Sequence, residues 1–519
     1  MNKKKSMTTG KALNGKPYAG NPHVRFDEGA GAPRHSGRSA LLYKKMYLMV
    51  VAAVAACGVR ADVKLAAPFN DGMVLQREKP VAVWGTAAAG EKVTVLFAGQ
   101  SVSTTAGADG RWIVRLAPMK ASGEGRVLMA NGVSVKDVLV GEVWLCSGQS
   151  NMTMVMWSNP YVGQHGNREN NGYLDAMIVD EPFVRACTVP SVWSAQPKEL
   201  SAPLKWDRLA PGRQKSFSAL AFHYGLILHR TLKVPVGVVV SAWGGTYIEP
   251  WISPDGYRSV PKLVASADRP INTKEKRPHQ QPRALWNGMI HPLVPFTFRG
   301  ALWYQGESNR KQGMGYKDCL HALWNGWSKA FENPEMPFYL VQIAPFCYGM
   351  KPENPGASSC DIWEAEEKFA KENPYAGMAT IVDVGERDNI HPGDKRTVAL
   401  RLAALALNRT YGRKDVPCDN PAVKSWAVKG DVVTLAFDHV QKWVMHGLDP
   451  APFEIAGPDG VFKPATAKYL KGAVELRAAG VAEPKQVRYL WNWCGNGRLK
   501  NDFGFPLPPF FLRSLAHAE

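Results

Sequence analysis

The sequence predicts an α/β protein whose central parallel sheet is flanked by an N-terminal and a C-terminal β domain. Three observations carry this. From about 139 to 413, continuous apolar strands alternate with amphipathic helices, the pattern of a parallel sheet covered on both faces. Residues 62–138 hold short β-prone runs between Gly-rich turns. Residues 414–519 return to short strands and turns.

In the first region Val81–Gly85 and Lys92–Phe97 read as strands, and Asp109-Gly110 marks a hairpin turn. Such spacing suggests a small β-sandwich. In the central region Val138–Cys146 is an apolar strand. It is followed by a helix over Phe217–Leu232 that ends at Val234-Pro235, and a strand over Val236–Ser241. Strands over Arg299–Tyr304, Phe338–Ile343 and Ala379–Val384 and helices over Tyr316–Phe331 and Asp394–Asn408 complete it. In the last region Val432–Leu435, Phe453–Ile455, Val474–Leu476 and Val487–Leu490 read as strands.

Residues 1–61 form a leader. They carry eleven Lys+Arg and two Asp+Glu, or +9 of the net +18, which leaves +9 for the other 458 residues. That mild excess forms no basic stripe, so nucleic acid is rejected as a partner. Lys44-Lys45, the apolar run Met46–Ala56, and Val59 and Ala61 at −3 and −1 have the order of a secretory signal. Met46 is read as its start, with 1–45 an upstream extension. The run is too short for a transmembrane span. Cleavage after Ala61 implies a periplasmic or secreted bacterial protein. Val54-Ala-Ala-Cys57 is the competing lipoprotein box, with a lipid anchor at Cys57. Seven cysteines follow the leader, without CxxC or a Cys/His cluster. Neither a disulfide framework nor a metal site is indicated, an isolated disulfide stays open, and no cofactor is expected.

The strand ends hold the chemistry. Val143–Cys146 runs into Ser147-Gly148-Gln149-Ser150, a strand, a sharp turn and an exposed serine able to attack a carbonyl. This is not a GxSxG elbow. Other strands end at Trp243-Gly-Gly245, at Gln305-Gly-Glu-Ser-Asn309 and near Asp388-Asn-Ile-His391, and ligands of parallel sheets bind beyond carboxyl ends. Ester hydrolysis needs a nucleophile, a base, an orienting acid and oxyanion donors. Ser150, His391 and Asp388 fill the first three roles. The backbone N–H groups of Ser150 and Gly245, with a side-chain amide from Gln305–Asn309, fill the last. Each has a plainer reading: a His-Pro turn, a tight Gly-Gly turn, a helix-capping Asn309. Glu307 is also a candidate glycosidase acid, for which no partner carboxylate is identified. Trp243 and Trp251, and less so Trp303 and Tyr304, are candidate stacking platforms for sugar rings.

Together the blocks Phe69–Gln76, Gly141–Met152, Ser241–Thr246, Leu285–Ile290, Trp303–Asn309 and Ile390–Pro392 resemble the sialate O-acetylesterase family within the SGNH hydrolases. The resemblance runs from about Val63 to the C-terminus. It implies a flavodoxin-like three-layer core, a serine esterase mechanism without metal, and removal of acetyl groups from sugars, sialic acids or polysaccharide fragments. By position it makes Ser150 the nucleophile and His391 the base, and it gives the oxyanion to Gly245 and the amide of Gln305 or Asn309. Asp388 fits an Asp-x-x-His step, with Asp383 in reserve. A non-catalytic carbohydrate-binding protein on the same scaffold would lack the serine or the histidine. A lipase would need an apolar lid that the sequence lacks.

The leader reading sets a first test. N-terminal sequencing of the exported protein should begin at Asp62. A lipidated Cys57 would favour the lipoprotein box, and a cytoplasmic protein with 1–61 intact would refute both.

Overall fold

Alternation along each strand decides the architecture. A computed structural model describes residues 63–156, 172–349, 360–445, 452–495 and 497–515. The leader, with Cys57 and the cleavage site, lies outside them. The central strands are β1 (Val133–Gly148), β2 (Glu181–Thr188), β3 (Asp207–Leu209), β4 (Val236–Ala242), β5 (Gly300–Tyr304), β6 (Phe338–Val341) and β7 (Ala376–Ala379). They lie in the order β3-β2-β4-β1-β5-β6-β7. All neighbours are parallel except β3, which runs antiparallel to β2 at the edge.

The interior strands are buried on both sides. Val143 and Leu145 of β1, Val239 of β4, Trp303 of β5 and Leu340 of β6 face one apolar cluster. Helices α2 (Gly315–Ala330) and α3 (Asp361–Glu372) cover it with Leu320, Leu323, Trp327 and Phe369. Trp144 and Cys146, Val238 and Val240, Leu302 and Tyr304, and Tyr339 and Val341 face the opposite cluster. Helices α1 (Ala219–Leu232) and α4 (Lys395–Leu405) close that side with Leu220, Tyr224, Val398 and Leu402. The result is three layers, helix–sheet–helix. Ser218 caps α1 by accepting from Ala221 N, and Asp394 caps α4 by accepting from Thr397 N at 2.9 Å.

β1 is longer than its sequence signal. Its first half pairs antiparallel with Ser122–Ala130, and its second half pairs parallel with β4 and β5. The expected boundary near 138 therefore falls inside one continuous strand. Buried Glu142 anchors this junction by accepting from Arg77, Arg299 and Gln76. The C-terminal region is a seven-stranded antiparallel sheet spanning Ala422 to Leu512, with its own core around Leu435, Ile455, Leu476 and Val487. One disulfide, Cys347–Cys494, ties the segment after β6 to that region. The other described cysteines are buried and form no disulfide with one another.

Three differences from the sequence reading stand out. β7 occupies Ala376–Ala379 rather than 379–384, and Val382–Val384 form a turn. The apolar run there is buried, but it packs as a turn. Strand β2 and helix α3 were not expected. In α3, Ile362, Trp363, Ala365, Glu366 and Phe369 are buried, and a carboxylate on the apolar face blurs the helical period.

The register brings the motif loops together. Gly148 of β1 lies opposite Ala242 of β4 and Tyr304 of β5. Three neighbouring strands thus end at one level, each followed by a motif. Gly148 has φ +138°, and a Cβ there would lie 2.1 Å from the Tyr304 carbonyl oxygen. Only glycine fits. Gly148→Ala should destabilise the fold by roughly 3 kcal/mol or more, read as a drop in the denaturation midpoint. An unchanged midpoint would refute the close approach.

Candidate active site

Ser150 opens a single helical turn, Ser150–Thr153, directly after β1. Backbone bonds lash this corner to both neighbours: Gln149 N donates to Tyr304 O at 3.0 Å, and Trp243 N donates to Gly148 O at 3.1 Å. Ser150 is half-buried, and its Oγ makes no hydrogen bond to a described residue. A hydroxyl held by backbone and left unengaged is available as a nucleophile.

The loop after β4 lies against it. A Cβ built on Gly244 would sit 3.5 Å from Ser150 Cβ, whereas one on Gly245, at φ +72°, would meet nothing within 4 Å. Both glycines are exposed, and neither N–H is engaged by a described residue. The sequence reading named Gly245. The structure adds Gly244 as the glycine whose missing Cβ leaves room beside the serine, and the Gly-Gly pair was its only signal.

The amides of the Gln305–Asn309 block are committed elsewhere. Gln305 Nε2 donates to Gln149 Oε1, Thr246 O and Asn309 Oδ1, and its Oε1 accepts from Tyr316 OH. Asn309 Nδ2 donates to Glu249 and Gln312 while its Oδ1 takes Ile248 N. In this arrangement neither amide has a hydrogen left for an oxyanion. They brace the loops behind the serine.

The indole of Trp251 is fully buried and donates to Thr246 Oγ1 at 3.2 Å. It props the Trp243–Thr246 loop from below, so its expected role as a sugar platform is corrected. Trp303 and Tyr304 are likewise fully buried. Trp243 is half-buried and stacks on His279, with centroids 4.9 Å apart and planes 4° from parallel.

His391 lies in the loop that leads into α4, and Asn151 reaches it. Asn151 Nδ2 donates to Ile390 O at 3.0 Å and to Glu307 Oε1 at 2.6 Å. Lys395 Nζ donates to Asn151 Oδ1 at 2.7 Å and to Pro392 O at 2.6 Å. The carbonyls on both sides of His391 are therefore tied, directly or through one lysine, to the residue after Ser150. Burial, and secondarily the Lys395 charge, pull the His391 imidazole down to about 4. Burial pulls Lys395 itself down to about 7, against the opposing pull of Glu307, Glu386 and Asp394. Sequence reasoning assigned Asn151 and Lys395 no role. Their signal was position: one follows the serine, and the other lies four residues after the histidine.

Neither carboxylate makes a hydrogen bond or ion pair with His391 among the described residues. Asp388 is exposed, and its carboxylate makes no hydrogen bond or ion pair among the described residues. The geometry gives the expected Asp388–His391 contact no support. Asp383 is held by Arg401 at 2.7 Å and by Lys500 at 2.7 Å, so it joins the core to the C-terminal region. Glu307 does have a neighbouring carboxylate, Glu366, but both are buried. Burial raises both carboxyls, and no sugar reaches between them as a glycosidase pair requires. Among the described residues, no cluster of three His, Cys, Asp or Glu could hold a metal.

Comparison with known proteins identifies the family. Residues 140–405 match the family described as carbohydrate esterase, sialic acid-specific acetylesterase. The chain belongs to this family. The matched span includes Ser150, Gly244, Glu307, His391 and Lys395. The chain is 31% identical over 432 residues to human sialate O-acetylesterase, covering 76% of this chain and 80% of the relative. It is 30% identical over 479 residues to the rat sialate O-acetylesterase, covering 79% and 85%. A solved carbohydrate acetylesterase from Xanthomonas citri superposes with a TM-score of 0.76 at 31% identity, covering 87% of this chain and 99% of that one. The protein is thus a carbohydrate O-acetylesterase, and its substrate is an acetylated carbohydrate. No helix among the described residues is long and apolar enough to cross a membrane.

The clamp sets a pH test. A general base must be neutral to accept a proton, so His391, taken as the base and depressed to about 4, should keep kcat/KM level down to roughly pH 5. Lys395→Met removes a positive neighbour, which should raise the His391 pKa and move the acid limb to higher pH. It should also lower kcat, because Pro392 and Asn151 lose their shared donor. An acid limb that stays put or moves down would refute the coupling.

Proposed function

We propose that this carbohydrate esterase is an exported serine hydrolase that cleaves O-acetyl groups from sugars through an acetyl-enzyme. One observation supports the reading: Ser150, whose Oγ makes no hydrogen bond to a described residue, lies beside Gly244 and is joined through Asn151 to the loop that bears His391. Ser150 Oγ attacks the acetyl carbonyl while His391 takes its proton. The tetrahedral oxyanion is met by the backbone N–H of Ser150 and that of Gly244 or Gly245. His391 then gives its proton to the sugar oxygen as the C–O bond breaks. Water, activated by the same imidazole, releases acetate.

The strand order supports an SGNH-type core. Counting β1, β4, β5, β6 and β7 as strands 1 to 5, the observed order is 2-1-3-4-5, that of flavodoxin-like sheets. β2 and β3 extend its edge. Trp243, stacked on His279 beside the glycine loop, is the aromatic face offered to the sugar ring. The relatives' names point to sialic acids and other glycans alike, so the substrate class is an O-acetylated sugar of either kind. The secretory-type segment read at 46–61 supports export to the periplasm or outside a bacterial cell, with cleavage after Ala61 favoured over lipidation at Cys57.

Ser150→Ala should lower hydrolysis of 4-nitrophenyl acetate by about 10⁴ or more with an unchanged unfolding profile. Retention of most of the activity would refute the nucleophile.

The acid has its own test. In this reading the clamp on Ile390 and Pro392 holds the His391 loop, and Asp388 is not the group that orients the ring. Asp388→Asn should then change kcat by less than about tenfold, whereas a triad aspartate would cost about 10⁴. A loss of that larger size would restore Asp388 to the triad.

A further inference from the structure

An oxyanion donor has to be in place before the charge appears, and glycine is the residue least able to hold its own backbone. Gly244 and Gly245 stand side by side. Gly245 has φ +72°, with nothing within 4 Å of the place a Cβ would take. No side chain of their own packs the pair into position, so its order has to come from bonds to the flanking backbone.

Those bonds come from two groups of residues. The core side supplies the first: Trp243 N donates to Gly148 O at 3.1 Å, Thr246 Oγ1 to Trp243 O at 2.7 Å, and Gln305 Nε2 to Thr246 O at 3.0 Å. The second is a single side chain from a separate segment. Gln280 closes a short 3₁₀ turn, Pro278–Gln280, whose His279 ring lies flat on Trp243. Gln280 Nε2 donates to Gly245 O at 2.9 Å, and its Oε1 accepts from Tyr247 N at 3.1 Å. One carboxamide thus spans two peptide planes, Gly245–Thr246 and Thr246–Tyr247. A donor and an acceptor at fixed spacing set orientation as well as distance. With Trp243 N tied at one end and Gly245 O at the other, the glycine pair is held from both sides. Gln280 is half-buried, and a hydrogen bond near water adds little to stability. Its consequence is for where the glycine backbone points.

We propose that Gln280 is a positioning residue for the deacetylation, one that holds the Gly244–Gly245 backbone in the orientation that receives the oxyanion. The proposal rests on the reading in which Ser150 is the nucleophile and this glycine loop supplies a donor. The plainer role, fastening its own segment, is what the next residue performs. Gln281 Nε2 donates to Asn272 O at 2.6 Å and its Oε1 accepts from Asn272 N at 2.8 Å. That is the same two-bond clamp, made on exposed Asn272 instead of the glycine loop.

The test compares Gln280→Ala, Gln280→Glu and Gln281→Ala with the unmodified full chain. Hydrolysis of 4-nitrophenyl acetate gives kcat and KM. A second readout is the rate at which diethyl 4-nitrophenyl phosphate labels Ser150, followed by peptide mass. The phosphoryl oxygen of that probe takes the place of the oxyanion, so the labelling rate reports donor orientation without any sugar contact. Gln280→Ala should lower kcat about tenfold, change KM by less than about twofold, and slow labelling by about the same factor as kcat. Gln280→Glu keeps the acceptor for Tyr247 N but sets a carboxylate against Gly245 O, so it should fall at least as far. Gln281→Ala should stay within about twofold of the unmodified chain. Unchanged kcat and labelling in Gln280→Ala would overturn the proposal and leave Ser150 as the nucleophile. An equal loss in Gln281→Ala would also overturn it, because loosening of the segment would then account for the effect. Label that does not reach Ser150 in the unmodified chain would overturn the serine reading and the proposal with it.

Discussion

The primary amide of Asn151 is the interaction on which the site depends. It is 1% exposed and uses both faces: its Nδ2 serves Ile390 O and Glu307, and its Oδ1 takes Lys395. A buried amide gains most when every donor and acceptor is matched, and loses most when one is not. Those bonds run to three separate segments: the histidine loop, the segment after β5 and the start of α4. Since Asn151 follows Ser150 directly, the backbone that carries the proposed nucleophile also fixes the loop of the proposed base. An aspartate here would present no donor to Ile390 or Glu307 and would add a buried negative charge. A leucine would strand Lys395. Few side chains satisfy this position.

The amide can do this only because the strands deliver the segments to one level. The shared register of Gly148, Ala242 and Tyr304 is set by side chains that alternate between two helical layers. A slip by one residue would turn Trp144 and Cys146 toward the wrong layer. Core packing therefore fixes the distance between the serine corner and the glycine loop, and the backbone bonds from Gln149 and Trp243 lock it. The site inherits its precision from the hydrophobic pattern of the sheet.

That pattern is what the sequence made legible. Long apolar strands, amphipathic helices and the two β regions could be read because periodicity is local information. Ser150, the glycine loop and His391 could be placed because each follows a strand. What the sequence hid was partnership. Gln305 looked like a free donor, yet Tyr316, eleven residues away, and Gln149, 156 residues away, hold it. Trp251 looked like a platform because it lies near a motif, but it points inward to Thr246. Asp388 matched a spacing, and spacing does not tell which way a loop side chain turns. Helix α3 went unread because Glu366 sits on its buried face, where a carboxylate is unusual.

The buried charges follow the same logic. Glu307, Glu366 and Lys395 are all within the protein, where an ion alone is costly and two like charges more so. Burial raises both carboxyls and lowers the lysine, so each group is pushed toward its neutral form. Lys395 is the member nearest the chemistry, since it bonds the carbonyl that follows His391. A positive or strongly polarised group there disfavours a second positive charge on the imidazole. That opposes protonation of the resting imidazole and, in the proposed mechanism, also the imidazolium that would form as Ser150 gives up its proton. In that mechanism the second effect is offset, because the oxyanion would appear at the same moment, with its negative charge in the same poorly hydrated site. The resting site holds the imidazole neutral, and the proposed reaction would supply the counter-charge as the imidazolium forms.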